Sequence, residues 1–378
     1  MIFWISLILT LSYIILVLWY IRGWVKLKED HDCSEQKQSQ EMTIIIPVRN
    51  EAASIENTIR DLASQDYCPE KFEILIVNDQ SDDRTAEIAA ALMQQMNMPN
   101  CRLLCMPKEA GQGKKAAISY GVENASYEWI ITTDADCRRG KKWLSSIADF
   151  LQCNDGVMIS CPVLFENEKT AFAKMQSLEF LSLIGIGAAS IANRRPTMCN
   201  GANLVFSKAA FYKVGGYEGS AHIASGDDEF LMHKMAKQFP GKILFLKNTD
   251  ATVYSEAMPD VKSFLNQRKR WVSKSTKYKN PIESLMALLV WLMHLFLMIN
   301  LLIAPFRIDH LYLFLASFLL KLFIELGFII PLSRFFRKSS FLLYYPLAAF
   351  LYIFYVSIIP VLAQLSSYEW KGRKFNKV

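Results

Sequence analysis

Four short apolar runs, Thr43 to Val48, Phe72 to Val77, Cys101 to Met106 and Trp129 to Thr133, each end in polar or turn residues. Runs of that length predict buried strands. Between them, Ala52 to Gln65, Asp83 to Gln95 and Gly113 to Glu123 carry apolar positions at helical spacing. Strand alternating with helix predicts an α/β domain built on a parallel sheet covered on both faces. Ligands of such sheets bind at the carboxyl ends of strands, which here run into polar turns. After Cys161 the alternation becomes irregular, with a long helix predicted from Thr170 to Ala192, a strand from Met198 to Phe206 and a helix opening near Gly226. Within the long helix, Leu178 to Ile191 is apolar but short and glycine-rich, which leaves two placements open, in a membrane interface or packed under the domain.

Longer apolar runs flank this region. Ile2 to Ile21 carries no charge and is followed by Arg22, Lys26 and Lys28. It is too long for a signal peptide and has no small-residue cleavage site, so it predicts a retained anchor with the following domain in the cytoplasm. Three more runs, Leu285 to Ile303, Leu311 to Pro331 and Phe341 to Leu362, close the chain. The predicted organisation is an anchor at 1–23, a linker at 24–41 that includes the polar stretch Glu29 to Glu41, a cytoplasmic domain at 42–280, a membrane region of about three segments at 281–365, and a basic tail at 366–378. Three complete crossings would put Lys371, Arg373, Lys374 and Lys377 outside, against the positive-inside tendency. Either one run turns back or the tail is an exception. Lys321 and Glu325, at i, i+4 spacing, predict a pair inside a helix bundle.

Composition sharpens this picture. Hydrophobic residues make up 52% of the 378 positions, enough for one sizeable domain plus membrane segments. The net charge of +6 is concentrated near the membrane boundary, with six Lys or Arg and no acid from Arg268 to Lys279. That placement fits lipid headgroups or a diphosphate and argues against nucleic acid. Eight cysteines form no C-x-x-C pair, so reduced thiols are expected, not disulfides or a zinc site.

The candidate chemistry lies at the strand ends. Asp134 and Asp136 follow Trp129 to Thr133, where a carboxylate pair suits a hard divalent cation such as Mg2+ or Mn2+, completed by substrate phosphates. Asp79 ends the strand Phe72 to Val77. Its carboxylate can accept a uracil imide N–H, while Ser81 or Asp82 has the position of a helix cap. Gly111 to Lys115 is a turn delivering Lys114 and Lys115 to the start of a helix, a place for diphosphate contacts without the spacing of an ATPase loop. Asp227 and Asp228 open another helix beside Glu229. Capping explains one of these acids, and a general base is the reading for the pair. Gly201 and Asn203 would let backbone and amide approach a sugar, or belong to a tight turn. Gln267, Arg270 and Trp271 spell Q-x-x-R-W just ahead of the first closing apolar run, where Arg270 offers a cation for leaving phosphates and Trp271 a stacking face, or both anchor an interface.

In order and spacing, the set resembles the membrane-integrated, processive-type branch of the family 2 glycosyltransferases, which includes hyaluronan, chitin, cellulose and poly-N-acetylglucosamine synthases and ceramide glucosyltransferase. The resemblance covers about Thr43 to Trp271 and implies a GT-A fold, a UDP-sugar donor and inversion at the anomeric carbon. It implies donor contacts at Pro47, Asn50, Glu51, Asp79, Lys114, Lys115, Asp134, Gln267, Arg270 and Trp271, and metal at Asp134 and Asp136. It further implies catalysis at Asp228 with Asp227, and a sugar or acceptor pocket at Gly201, Asn203 and Trp271. The gating string of cellulose synthases is not visible in Val272 to Asn280, and Glu369 to Arg373 is similar to the tail of ceramide-glucosyltransferase-like members. A membrane lipid is therefore the expected acceptor of a hexose or N-acetylhexosamine, with a growing, exported glycan as the alternative and an inactive membrane scaffold as a third reading.

Overall fold

The computed structural model describes residues 2–29, 40–219, 226–273, 280–365, 368–370 and 373–375. In chain order the first elements are α1 (Ile2–Lys26), β1 (Met42–Val48), α2 (Ile55–Ala63), β2 (Phe72–Asn78), α3 (Thr85–Gln95), β3 (Cys101–Cys105), α4 (Lys114–Asn124) and β4 (Trp129–Thr132). There follow β5 (Arg138–Arg139), α5 (Trp143–Cys153), β6 (Met158–Ser160), β7 (Val163–Glu166), α6 (Ala171–Ala192), β8 (Leu204–Ser207) and α7 (Lys208–Lys213). The remainder is α8 (Asp227–Gln238), β9 (Ile243–Phe245), β10 (Val253–Glu256), α9 (Val261–Ser273), α10 (Pro281–Ile303), α11 (Ile308–Phe335), α12 (Tyr345–Leu365), β11 (Tyr368–Trp370) and β12 (Arg373–Phe375).

The chain divides into two compact units. The sheet unit comprises Lys26–Glu166 and Ile186–Glu256, and the helical unit Met1–Val25, Asn167–Gly185 and Ala257–Val378. This differs from the predicted division at 280. Helix α9, which carries Gln267 to Trp271, and the first part of α6 belong with the apolar helices. A boundary read from composition follows hydropathy, whereas α9 and α6 make their side-chain contacts with the spanning helices.

In the sheet unit, seven strands lie in the order β3-β2-β1-β4-β8-β6-β9. The first four are parallel, as the alternation predicts. Beyond β4 the sheet becomes mixed, because β8 runs antiparallel to both β4 and β6. Every position of β2, and all but one of β1, is buried, which explains why these strands read as unbroken apolar runs. A second sheet, β5-β10-β7, extends this unit. The predicted strand Met198 to Phe206 shrinks to Leu204–Ser207, since its first half forms the loop that shapes the site below.

In the helical unit, α1, α10, α11 and the segment Ser339–Ala363, which takes in most of α12, are long and apolar enough to cross a membrane. Helix α6 also meets that criterion, but 61% of its apolar window is buried inside the protein, which favours the packed placement. Its glycines have a use there. A Cβ on Gly185 would fall 1.9 Å from Leu332 Cδ2, so only glycine lets α11 approach so closely. Asn280 caps α10 by accepting from the Ile282 N–H at 3.1 Å, with Pro281 in the first turn. The predicted Lys321–Glu325 pair forms, Nζ to Oε2 at 2.8 Å. Tyr13 of α1 and Tyr345 of α12 both donate to the same Glu325 carboxylate. Strand β11 lies against α9. The linker at 30–39, the basic residues 274–279 and most of the tail from 366 lie outside the described residues.

Candidate active site

The opening turn is held by its neighbour. Pro47 closes β1 beside Val77 of β2, and the following Asn50 has a left-handed backbone, φ 54°. Asn50 N–H donates to Ser81 Oγ (3.1 Å), Glu51 N–H to Thr85 Oγ1 (2.8 Å) and Ala52 N–H to Asp83 Oδ2 (3.1 Å), while Asp82 N–H donates to Asn50 Oδ1 (3.0 Å). These bonds hold residues 50–52 as a turn, and α2 begins at Ile55 and not at Ala52. Asp83, not Ser81 or Asp82, accepts from the Thr85 N–H at the head of α3 (3.0 Å). Asp79 stands at the end of β2, 4% exposed, and its Oδ2 accepts from the Gly113 N–H at 2.9 Å. The acid expected to read a base thus also pins the turn that presents the lysines.

Lys114, the first residue of α4, joins the two acidic motifs. Its Nζ lies 2.7 Å from Asp134 Oδ1 and 3.4 Å from Asp227 Oδ2. Burial opposes the ammonium charge, but Asp134, Asp227 and Asp228 outweigh it and hold Lys114 protonated above the ordinary lysine range. Lys115 does not share this role. Its side chain is buried with the ammonium 5.0 Å from the Phe230 ring centroid, so the expected pair of diphosphate lysines is reduced to one, because successive helical positions face different ways.

The Asp134–Asp136 turn after β4 is fixed from α2 and β5. Thr58 Oγ1 donates to Ala135 O at 2.7 Å, and Arg139, fully closed over by protein, donates to Cys137 O at 2.8 Å and Asp134 O at 3.3 Å. Asp61 in turn takes a two-pronged bond from Arg138 (2.8 and 2.8 Å) and the Arg139 N–H (3.0 Å). Sequence reasoning passed over Thr58 and Asp61, although polar residues on the buried face of an amphipathic helix were the signal. Low-dielectric surroundings, and then the charge of Asp134, push the Asp136 carboxyl above the ordinary aspartate value, even though its surface reaches solvent. A cation beside the two acids would relieve that strain, and the donor set is purely carboxylate oxygen. Among the described residues no group of three His, Cys, Asp or Glu forms a complete cage. The carboxylate pair suits a hard divalent ion whose remaining sites phosphate oxygens would fill.

On the other side, Asp228 Oδ2 accepts from the Gly201 N–H and Oδ1 from the Glu229 N–H, at 2.9 and 2.8 Å. Gly201 therefore sits within the cluster. A Cβ there would meet Asp227 Oδ2 at 2.9 Å and Lys114 Nζ at 3.3 Å. Asn203 does not face this space. It is fully buried, accepts from Trp143 Nε1 (3.0 Å) and donates to the carbonyls of Pro162 and Ala251 (2.8 Å each). Its amide is committed to tying loops together, which corrects the expectation of a sugar contact. Tyr217 was not foreseen. Burial, then the charges of Asp227 and Asp228, push its phenol well above the ordinary value.

Asp134, Asp136, Lys114, Gly201, Asp227 and Asp228 thus form one acidic, lysine-bridged cluster at strand ends. Residues 43–215 match the model described as Glycosyl transferase family 2. The chain carries a family 2 glycosyltransferase domain. Over 191 residues it is 29% identical to poly-beta-1,6-N-acetyl-D-glucosamine synthase of Staphylococcus epidermidis, covering 48% of this chain and 43% of that protein. Over 103 residues it is 34% identical to Glycosyltransferase AglE of Haloferax volcanii, covering 27% and 33%. The alignment spans less than half the length of either curated relative. Among solved structures, the mannosyltransferase PcManGT from Pyrobaculum calidifontis, in complex with GDP-Man and Mn2+, is similar with TM-score 0.55 and 17% identity over 94% of this chain and 99% of that one. At that identity the likeness speaks for the fold, and the glycosyltransferase domain is of the GT-A type expected.

The family match ends before Asp227, Asp228 and the Gln267–Trp271 string. That string belongs to the helical unit. There Gln267 Oε1 accepts from Arg268, and the Trp271 ring packs against Phe180 with centroids 5.9 Å apart. Arg270, next to Trp271, is half-buried. The seven cysteines within the described residues are free thiols, as the spacing predicts, and Cys33 lies outside them.

Proposed function

We propose that the protein is an inverting, metal-dependent membrane glycosyltransferase that moves a hexose or N-acetylhexosamine from a UDP-sugar to a membrane-associated acceptor. The observation that carries this reading is the Lys114 ammonium held between Asp134 and Asp227, which joins the two acidic motifs into one site. Asp134 and Asp136 would hold Mg2+ or Mn2+, and such an ion when bound supplies positive charge for the departing diphosphate. Lys114, held protonated, adds a fixed charge beside it. Asp79 takes the uracil imide N–H once the nucleotide enters, with the Pro47–Glu51 turn lining the base.

Asp228 removes the proton from the acceptor hydroxyl, its carboxylate aimed by the Gly201 and Glu229 N–H groups. The acceptor oxygen bonds to the anomeric carbon as the bond to the UDP oxygen breaks, and the configuration inverts. The Gln267–Trp271 string assigns Arg270 to the leaving phosphates and Trp271 to the acceptor. Poly-N-acetylglucosamine synthases among the relatives support an N-acetylhexosamine donor and a growing glycan acceptor. They weigh against the lipid acceptor suggested by the tail string Glu369 to Arg373.

The test is UDP release by the purified, detergent-solubilised protein with Mg2+ or Mn2+. UDP-glucose, UDP-N-acetylglucosamine, UDP-galactose and UDP-glucuronate are each supplied with membrane lipids, and products are sized. A long glycan establishes the polymer reading and a single-sugar lipid the other. Asp228→Asn is expected to lose turnover while retaining nucleotide. No release from any donor, with wild type and Asp228→Asn alike, leaves the scaffold reading standing.

A further inference from the structure

Arg268 occupies a position in the Gln267–Trp271 string that the motif leaves unspecified, yet the structure invests most in it. It is 1% exposed. Nε and Nη2 donate to the Glu179 carboxylate of α6, at 3.1 Å to Oε1 and 2.7 Å to Oε2, and Tyr355 Oη of α12 donates to Glu179 Oε1 at 2.9 Å. Nη1 donates to Gln267 Oε1. The guanidinium carbon lies 4.2 Å from the Trp271 ring centroid and 4.5 Å from that of Phe264. One cation therefore binds a carboxylate with its fork, stacks on two rings and orients the amide beside it, where three helices meet.

Burying an ion pair is a poor route to stability, because desolvation offsets most of the attraction. What the planar fork supplies is direction, since it fixes the carboxylate and both rings relative to one another. We propose that Arg268 is a positioning residue for sugar transfer. Clamped by Glu179 and Tyr355, it sets the Trp271 ring and the Gln267 amide in the attitude that the acceptor meets. This deepens, and rests on, the reading of Trp271 as the acceptor's stacking face.

The full chain is tested as Arg268→Lys, which keeps the charge and loses the fork, Glu179→Gln, and Tyr355→Phe. Two measurements are made, steady-state transfer with separate donor and acceptor titrations, and hydrogen exchange across residues 261–273. Expected are losses in kcat of about tenfold or more for Arg268→Lys and Glu179→Gln and about threefold for Tyr355→Phe, a raised acceptor KM, donor KM within about twofold of wild type, and faster exchange confined to α9. Wild-type kcat and acceptor KM in Arg268→Lys would overturn the proposal, as would a kcat loss matched by an equal rise in donor KM. If Glu179→Gln does not fold, the two milder variants carry the test. If wild type transfers no sugar, the enzymatic reading fails and the positioning role with it. The exchange measurement needs no substrate and reports separately whether the clamp exists.

Discussion

Each unit of the molecule places a lysine against carboxylates, and the two arrangements differ in balance and in access to water. In the sheet unit, Lys114 is shared by Asp134 and Asp227, with Asp228 and Asp136 close by, and its side chain and that of Asp134 remain 19% and 35% exposed. In the helical unit, Lys321 and Glu325 pair one to one at 2% and 15% exposure, and two tyrosine hydroxyls donate to the glutamate. A surplus of negative charge open to solvent can take up a cation, and through that cation a phosphate-bearing ligand. A neutral, saturated cluster has nothing left to bind and serves to lock helices together. Buried charge alone does not distinguish site from staple; the excess does.

Breaking the staple should cost most. Lys321→Met is expected to destabilise the protein by about 3–5 kcal/mol, seen as a fall in melting temperature, while Lys321→Met with Glu325→Leu recovers most of that loss. An unchanged melting temperature in the single variant would remove the contrast. Lys114→Ala should lower transfer by about 100- to 1000-fold, the usual cost of deleting a group that stabilises developing charge, with little effect on melting temperature. A large stability loss with normal turnover would instead make Lys114 a second staple. Asn203→Ala leaves the Pro162 and Ala251 carbonyls and the Trp143 N–H short of a partner, an expected loss of about 2 kcal/mol in stability, with turnover per folded molecule unchanged. Gly201→Ala, whose Cβ would crowd Asp227 and Lys114, should reduce turnover about tenfold, or about 1.4 kcal/mol in barrier, at near-normal stability. A final test is positional. Because β11 lies against α9, a cysteine at Lys374 should share the side of the membrane that holds α9. Labelling from the opposite side by an impermeant maleimide would show a complete crossing.

Much of the architecture could be read from the chain. The four parallel strands fall within about one residue of the predicted runs; β1 and β2, buried on both faces, leave an unbroken apolar signature, whereas β3 is an edge strand buried only at Cys101 and not the buried strand expected. The long helix predicted from Thr170 forms over Ala171–Ala192. The strands of the mixed half, β6, β8 and β9, have three or four residues each, too few to show a period, so that half of the sheet was hidden. In the site, Asp134, Asp227 and Lys114 were legible as strand-end and helix-start residues, although only the fold shows that Lys114 joins the acids. Asn203 and Lys115 were misjudged because a sequence does not say which way a side chain turns. The Arg268–Glu179 contact links positions 89 residues apart, and no local pattern encodes such a pairing.

The Glu325 cluster also has a place in time. Its first hydroxyl, on Tyr13, is 312 residues ahead of its acceptor in the chain, and the second, on Tyr345, comes 20 residues after it. During synthesis the first helix is made long before the carboxylate it will serve, and α12 follows that carboxylate. The polar face of α1 is therefore provisional until α11 and α12 have been made. A nascent chain stopped short of α11 would carry a hydroxyl-bearing helix that still lacks its destination, a state that quality control in the membrane could recognise.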